Sequence, residues 1–447
     1  MTFNDLNLNK PLLNALADLG YTQPTTIQEK VFSVAMSGRD VCGIAQTGTG
    51  KTIAYLLPAL RQYQFSPVHT PQLLVLVPTR ELVVQVVETI TALTKYMNVL
   101  TVGVYGGVNL KPQAAQVQAG ADILVATPGR AVDLLASGVL KTKQLKRLVI
   151  DEFDEMLNLG FRAQLTAILD LLPAKRQNLL FSATLTDDVE QLLGVSTPGT
   201  FFNDPVRVEA APAGTPLKGI LQSAYNVPNY NTKLNLLERL LQEDDAMTKV
   251  LVFVATKAMA DQLFDDLDGR FIDSIGVIHA DKAQTYRFEA VRRFGAGELR
   301  VLIATDLVSR GIDLLGVSHV INFDLPDEPE SYIHRIGRTG RADQKGIAIA
   351  FITEADAERQ AAIEALMKMA IPVKSLPDNL PISTVLTEAE KPEIKMKIVQ
   401  PKAPKREDVG PAFHEKAAHN QKVNVRRDYE AEKKAKYGRS YKPGRRK

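Results

Sequence analysis

VCGIAQTGTGKTIAYLLPAL, residues 41–60, is the stretch on which the fold turns. VCGIA is a short apolar run suited to a buried strand, and TIAYLLPAL is an apolar-rich run of helical length. Between them, AQTGTGKT (45–52) carries Gly48 and Gly50. These let the backbone turn tightly, so its N–H groups and the following helix N-terminus can surround phosphates. In such a loop Lys51 supplies positive charge to the β- and γ-phosphates, and Thr52 offers a hydroxyl to Mg²⁺. Ala45 stands where the general pattern has its first glycine, so the flanking strand and helix are what weigh against a mere surface turn.

The same kind of run, β-branched and ending in a small or polar residue, recurs along the chain. It appears in LLVLVPT (73–79), DILVATP (122–128), RLVIDE (147–152), NLLFSAT (178–184), KVLVFVAT (249–256), SIGVIHA (274–280) and RVLIATD (300–306). Continuous rather than alternating, these runs fit strands of a parallel sheet buried on both faces. Helical stretches such as ELVVQVVETITALTKYM (81–97) lie between them, which predicts an α/β doubly wound fold. Ligands of such sheets bind beyond the carboxyl ends of the strands, where the polar residues sit.

The alternation breaks at NDPVRVEAAPAGTPLKG (203–219), which carries proline and glycine without apolar periodicity. The expected organisation is a first domain over 1–205, a linker over 206–217, a second domain over 218–370 and a basic, largely disordered tail over 371–447. Hydrophobic residues make up 45% and charged residues 23% of the 447, a balance that excludes a fibrous or wholly disordered chain. The net charge of +3 conceals an asymmetry: of 54 Lys+Arg and 51 Asp+Glu, residues 391–447 hold 18 and 7, leaving 36 and 44 for the body. An acidic body with a basic tail points to a polyanionic partner, the alternative being a tail kept for solubility. The single cysteine, Cys42, excludes an internal disulfide and a zinc cluster. No apolar run spans a membrane and the N-terminus lacks a signal-peptide layout, so a cytoplasmic chain without membrane contact is expected.

RLVIDEFD (147–154) ends a buried run on two acids. Asp151 is placed to bind the metal, directly or through water, and Glu152 to orient and deprotonate the attacking water. An acidic N-cap for the next helix is the plainer alternative. YIHRIGRTGRA (332–342) sets Arg335, Arg338 and Arg341 close together, broken by glycines that are poor helix formers. Lying across a cleft, such arginines would neutralise charge in the transition state and make hydrolysis depend on domain closure.

Taken together, these residues resemble the DEAD-box ATP-dependent RNA helicases over about residues 1–370. AQTGTGKT is similar to motif I, PTREL (78–82) to Ia, TPGR (127–130) to Ib, DEFD (151–154) to II and SAT (182–184) to III. ATDLVSRGID (304–313) is similar to motif V and HRIGRTGR (334–341) to VI, all in the family's order. GYTQPTTIQ (20–28), with Phe3 upstream, resembles the Q motif. The resemblance implies tandem RecA-like domains, RNA-stimulated ATP hydrolysis with Mg²⁺, and local unwinding as the domains close on ATP and a bent RNA strand.

It also implies roles for residues. Gln46, Thr47, Gly48, Thr49, Gly50, Lys51 and Thr52 would hold the nucleotide, with Phe3 stacked on adenine, Gln28 on its base edge and Asp313 on the ribose. Arg338 and Arg341 would reach the γ-phosphate, while His334, Ser182 and Thr184 would couple hydrolysis to closure. For RNA the resemblance implicates Thr79, Arg80, Gly106, Gly107, Thr127, Gly129 and Arg130 in the first domain, and Thr256, Gln284, Arg287, Thr305 and Arg310 in the second. Such groups suit phosphate and sugar contacts, which carry no sequence information, so nonspecific binding is expected. Plainer readings exist: Gly106–Gly107 as a hairpin turn, Thr127–Pro128–Gly129 as a turn, Gln284 and Arg287 as a solvated helix face.

Two residues depart from the family pattern. Ser309 replaces alanine in motif V, and Phe153 replaces the alanine of Asp-Glu-Ala-Asp. The ring is expected to pack into adjacent apolar space; a displacement of about 1 Å would instead cost on the order of a hundredfold in catalysis. An ATP-gated RNA clamp with little turnover is the first alternative, and a DNA-remodelling ATPase the second. A GTPase is disfavoured because no Asn-Lys-x-Asp segment is present. The basic tail is expected to add RNA affinity with a steep salt dependence and to reach ribonucleoprotein partners.

Overall fold

The computed structural model describes residues 1–45, 48–193, 202–210, 219–271, 273–306, 316–340, 346–391 and 429–438. The apolar runs assemble two parallel sheets of seven strands. The first contains β1 (Val41–Ile44), β2 (Leu73–Leu76), β3 (Thr101–Val104), β4 (Ile123–Ala126), β5 (Arg147–Ile150), β6 (Gln177–Ser182) and β7 (Val206–Glu209). The second contains β8 (Ile220–Asn226), β9 (Val250–Phe253), β10 (Ile275–Ile278), β11 (Val301–Ala304), β12 (His319–Asn322), β13 (Gly346–Ile352) and β14 (Val373–Lys374). The orders are β3-β4-β2-β5-β6-β1-β7 and β10-β11-β9-β12-β13-β8-β14. Counted from each sheet's own first strand the two orders are identical, so the chain builds one topology twice.

Helices cover both faces of each sheet, which explains the unbroken apolar runs. Along the central strands successive side chains alternate between two cores. Val75, Val149 and Leu179 enter one cluster, and Leu74, Leu148 and Leu180 the other. Val250, Val301 and Ile321 face one core of the second sheet, and Leu251, Leu302 and Val320 the opposite one. This is the doubly wound α/β architecture, in the tandem RecA-like form.

Two expected boundaries move, for one reason. The segment 206–217, expected as linker, opens with β7, which pairs in parallel with β1. VRVE alternates, burying Val208 while Arg207 and Glu209 stay exposed, as an edge strand does. The tail expected from 371 likewise begins inside the second domain. Ile371 is buried, β14 pairs with β8, and Leu376 and Leu380 pack on the core. Beyond them, Asn235, Asn229 and Asn231 donate side-chain amides to the carbonyls of Pro381 (2.8 Å), Ser383 (2.6 Å) and Val385 (2.8 Å). Pro372, Pro377 and Pro381 forbid a helix but suit this extended strap, whose carbonyls are satisfied by side chains.

Residues 1–391 form one compact unit and 392–447 a second, whose described part is the helix Tyr429–Tyr437. No described helix is long and apolar enough to cross a membrane.

Candidate active site

The phosphate loop leaves β1 and enters the helix Lys51–Arg61 through two left-handed residues, Gly48 (φ 81°) and Gly50 (φ 87°). Gly50 is required twice over, because a Cβ there would also overlap the Gln28 side-chain amide. That amide donates to the Gly50 carbonyl at 3.2 Å, while Gln28 Oε1 accepts from Thr25 N at 3.0 Å. Thr25 Oγ1 in turn donates to the Thr49 carbonyl at 2.9 Å. The Thr25–Gln28 capping box of the helix Thr26–Met36 therefore also grips the phosphate loop. Phe3 is 5% exposed within the first domain's core, so stacking on a base would require the short turn Phe3–Leu6 to shift.

Lys51 is buried at the first position of its helix, with Nζ 3.0 Å from Glu152 Oε2. Burial alone would lower its pKa, but the charges of Glu152, Asp151 and Asp154 outweigh that and hold the ammonium above its usual value. Asp151 follows β5 and is 3% exposed, its Oδ1 accepting from Glu152 N at 2.9 Å. Burial pushes the Asp151 carboxyl up to about 6, with Lys51 pulling it down and Glu152 adding to the rise. A buried carboxyl in this position gains from a divalent cation. With the Thr52 hydroxyl one helical step from Lys51 and phosphates to complete the shell, these residues fit Mg²⁺. Glu152 itself sits at φ 51°, an uncommon conformation for a non-glycine residue and one that recurs at functional turns.

Phe153 opens the helix Phe153–Asn158 with no exposed surface, its ring inside the core that contains Ile44, Leu76 and Ile150. The ring therefore points away from the two acids, and Asp154 keeps a full set of bonds. Asp154 Oδ2 accepts from Thr184 N at 2.8 Å and from Thr184 Oγ1 at 2.7 Å, and Asp154 N donates to Ser182 Oγ at 3.3 Å. Ser182 Oγ closes the turn on the Thr184 carbonyl at 2.7 Å. From the second domain, His334 Nε2 lies 4.0 Å from Asp154 Oδ2. Burial alone would raise Asp154, but the His334 and Lys51 charges and the Thr184 bonds keep its carboxyl below the usual range.

A second cluster bridges the domains beside motif Ia. Arg80 Nη1 donates to Gln284 Oε1 at 3.3 Å, and Gln284 Nε2 donates to Glu81 Oε1 at 3.1 Å. Arg287 approaches Glu81 at 3.2 Å and also donates to Gln284. Gly107, at φ 75°, lies under Arg80, where a Cβ would overlap the guanidinium. Thr127 Oγ1 accepts from Gly106 N at 3.2 Å, and nothing lies within 4 Å of where a Cβ on Gly106 or Gly129 would point. Thr79 and Thr256 cap the helices Arg80–Leu93 and Lys257–Asp268, accepting from Leu82 N (3.3 Å) and Met259 N (3.1 Å). Thr305 is buried at the end of β11.

Several residues take positions the sequence did not disclose. Arg335 is 2% exposed and turns inward, donating to Asp306 (2.6 and 2.7 Å), Asn322 (3.1 Å) and the Asp324 carbonyl (2.6 Å), with Phe253 beneath it. It is a clamp inside the second domain and not one of the arginines lying across a cleft, because a guanidinium buried this deeply needs all its donors paired. Arg130 is similarly inward, on Gln113 (2.5 Å), the Val108 carbonyl (2.8 Å) and Asp133 (3.5 Å). Arg338 is buried just beyond the helix Pro329–Ile336 that carries His334. Gln46, Thr47, Arg310, Asp313 and Arg341 lie outside the described residues, as does Ser309. Thr25, Tyr55 and Glu81 were missed: Thr25 had its capping-box spacing as a signal, and Glu81 its place as an acid beside Arg80 in an apolar helix.

The comparisons with known proteins agree with this geometry. The DEAD/DEAH box helicase family model matches residues 25–192, and the helicase conserved C-terminal domain model matches residues 232–343. DEAD-box ATP-dependent RNA helicase CshA of Geobacillus kaustophilus is 38% identical over 354 residues, 79% of this chain and 73% of its own. The chain belongs to the DEAD-box ATP-dependent RNA helicases. Another DEAD-box helicase, RhpA of Helicobacter pylori, is 40% identical over 352 residues, covering 79% of this chain and 70% of RhpA. The solved structure of S. cerevisiae Dbp5 bound to RNA and ADP BeF3 superposes with a TM-score of 0.76 at 29% identity, covering 84% of this chain and 96% of Dbp5. Motif II of this chain carries Phe153 where the Asp-Glu-Ala-Asp pattern has alanine, and its ring is taken up by the core.

Proposed function

We propose that this DEAD-box helicase is an RNA-stimulated ATPase that closes its two domains on ATP and one RNA strand, bends that strand and so opens short duplexes. The observation that carries the reading is the position of Asp154. It is bonded to Thr184 of its own domain and faces His334 of the other, so the residue next but one to Glu152 senses whether the domains are together.

In this reading Lys51 exchanges its Glu152 partner for the β- and γ-phosphates. Glu152, released from that ion pair, orients the attacking water and accepts its proton as the oxygen bonds to the γ-phosphorus and the bond to the β-phosphate oxygen breaks. Thr52 and Asp151 hold the metal. Bound with the nucleotide, Mg²⁺ would neutralise charge on the phosphate oxygens. Arg338 and Arg341 approach the γ-phosphate from the second domain, Gln28 reads the adenine edge and Asp313 meets the ribose.

Arg80, Gln284 and Arg287 form the RNA track with Thr79, Gly106, Gly107, Thr127, Gly129, Thr256, Thr305 and Arg310. Glu81 holds the two arginines in place until phosphates take them. The Dbp5 neighbour, solved with RNA and ADP BeF3, supports this choice of ligands. A-form pairing does not survive a bend in one strand, so contact with a single strand is enough to open a short helix. The basic residues of 392–447 add nonspecific RNA affinity and a route to ribonucleoprotein partners, and the chain works in the cytoplasm.

Displacement of a short labelled RNA duplex tests the reading. ATP should release the strand, and a non-hydrolysable analogue should trap the enzyme on RNA after at most one round. Tight ATP-dependent RNA binding with no displacement and no phosphate release would contradict it in favour of a clamp.

A further inference from the structure

Tyr55 lies one turn beyond Lys51 and three residues beyond Thr52 on the same helix. Its side chain is fully buried, with its ring 5.3 Å from that of Phe181. Phe181, on β6, is the register partner of Gly43 on β1, and a Cβ at Gly43 would lie 2.6 Å from the Phe181 ring. The bare Gly43 backbone thus seats Phe181, and Phe181 seats Tyr55, with the phenol directed at Thr52 and Asp151. The Tyr55 hydroxyl is buried but outside hydrogen-bonding geometry with either neighbour. A phenol is protonated near neutral pH, so this hydroxyl offers a donor. A buried hydroxyl without a protein partner is unfavourable, and in a folded chain it marks strain, an ordered water or a ligand-dependent contact.

We propose that Tyr55 is a positioning residue for the metal-binding carboxylate, its hydroxyl donating to Asp151 when that side chain takes up Mg²⁺ with ATP. The proposal rests on the reading of Asp151 as a metal ligand. Partners that orient a ligand in this way commonly matter tenfold to a hundredfold for metal affinity.

The test is Tyr55→Phe, which keeps the ring and removes the hydroxyl. Binding of a fluorescent ATP analogue is followed across a Mg²⁺ titration without RNA, and thermal unfolding is followed without nucleotide. The Mg²⁺ midpoint should rise about tenfold, while the thermal midpoint holds or rises, since the hydroxyl lacks a partner before the ligand arrives. An unchanged Mg²⁺ midpoint would overturn the proposal, and so would a raised midpoint accompanied by a lowered thermal midpoint, which marks a packing role. Asp151→Asn serves as the control. If it leaves the Mg²⁺ dependence intact, the metal reading itself fails. If it abolishes the dependence while Tyr55→Phe changes nothing, only the Tyr55 inference fails.

Discussion

His334 Nε2 of the second domain lies 4.0 Å from Asp154 Oδ2 of the first, at the same carboxylate oxygen that accepts the Thr184 hydroxyl at 2.7 Å. One oxygen therefore faces both motif III and the second domain. Replacing the imidazole removes the second-domain half of that contact and leaves Thr184 bonded. His334→Ala should lower RNA-stimulated turnover about tenfold, equivalent to ~1.4 kcal/mol of transition-state stabilisation. ATP affinity without RNA should stay near that of the parent, as read by nucleotide titration beside steady-state phosphate release.

Glu81 and Arg287 meet across the domains at 3.2 Å, with Gln284 bonded to both sides of the gap. A double-mutant cycle of Glu81→Gln and Arg287→Gln on RNA-stimulated turnover should give a coupling of about 1–2 kcal/mol, as expected for residues in one network. Additive effects would show that Glu81 does not hold Arg287 in place for RNA.

Phe153→Ala restores the more familiar Asp-Glu-Ala-Asp box, yet the ring is wholly buried in the first domain's core. The exchange should cost about 3–5 kcal/mol of stability through the cavity it leaves. Denaturant unfolding followed by a first-domain probe reads this. A variant of unchanged stability with faster turnover would show that the ring burdens catalysis.

Two truncations separate the strap from the basic tail. Ending the chain after Lys391 should leave the second domain's stability unchanged while weakening RNA binding, most strongly at low salt. Ending it after Ala370 also removes the carbonyls that accept from Asn229, Asn231 and Asn235, along with β14. At roughly 1 kcal/mol for each hydrogen bond, that shorter chain should unfold at clearly lower denaturant. Equal midpoints for the two truncations would contradict the role given to the strap.

The strands readable from sequence were the ones buried on both faces, such as β2, β5, β9 and β11, where no polar residue interrupts the apolar run. The edge strands β7 and β14 were not readable, unlike the edge strand β10, whose run is wholly buried. VRVE in β7 has one buried side chain, and the two residues of β14 are both exposed, so neither carries a continuous apolar signal. Each had to be placed by its pairing to the first strand of its sheet. In the site, Lys51, Asp151 and Glu152 were legible because phosphate chemistry demands those residue types at strand ends. The inward turn of Arg335 was not, since a helix of arginines and glycines reads alike whether its guanidinium meets solvent or Asp306. Glu81 and Tyr55 depend on neighbours more than a hundred residues away or across a sheet, and spacing carries no trace of such contacts.

Phosphate release from ATP, with and without single-stranded RNA and beside a Glu152→Gln variant, tests the central claim most directly. The account predicts strong RNA stimulation in the parent chain and its loss in the variant, with ATP still bound. Release that ignores RNA, or that survives Glu152→Gln, would contradict it.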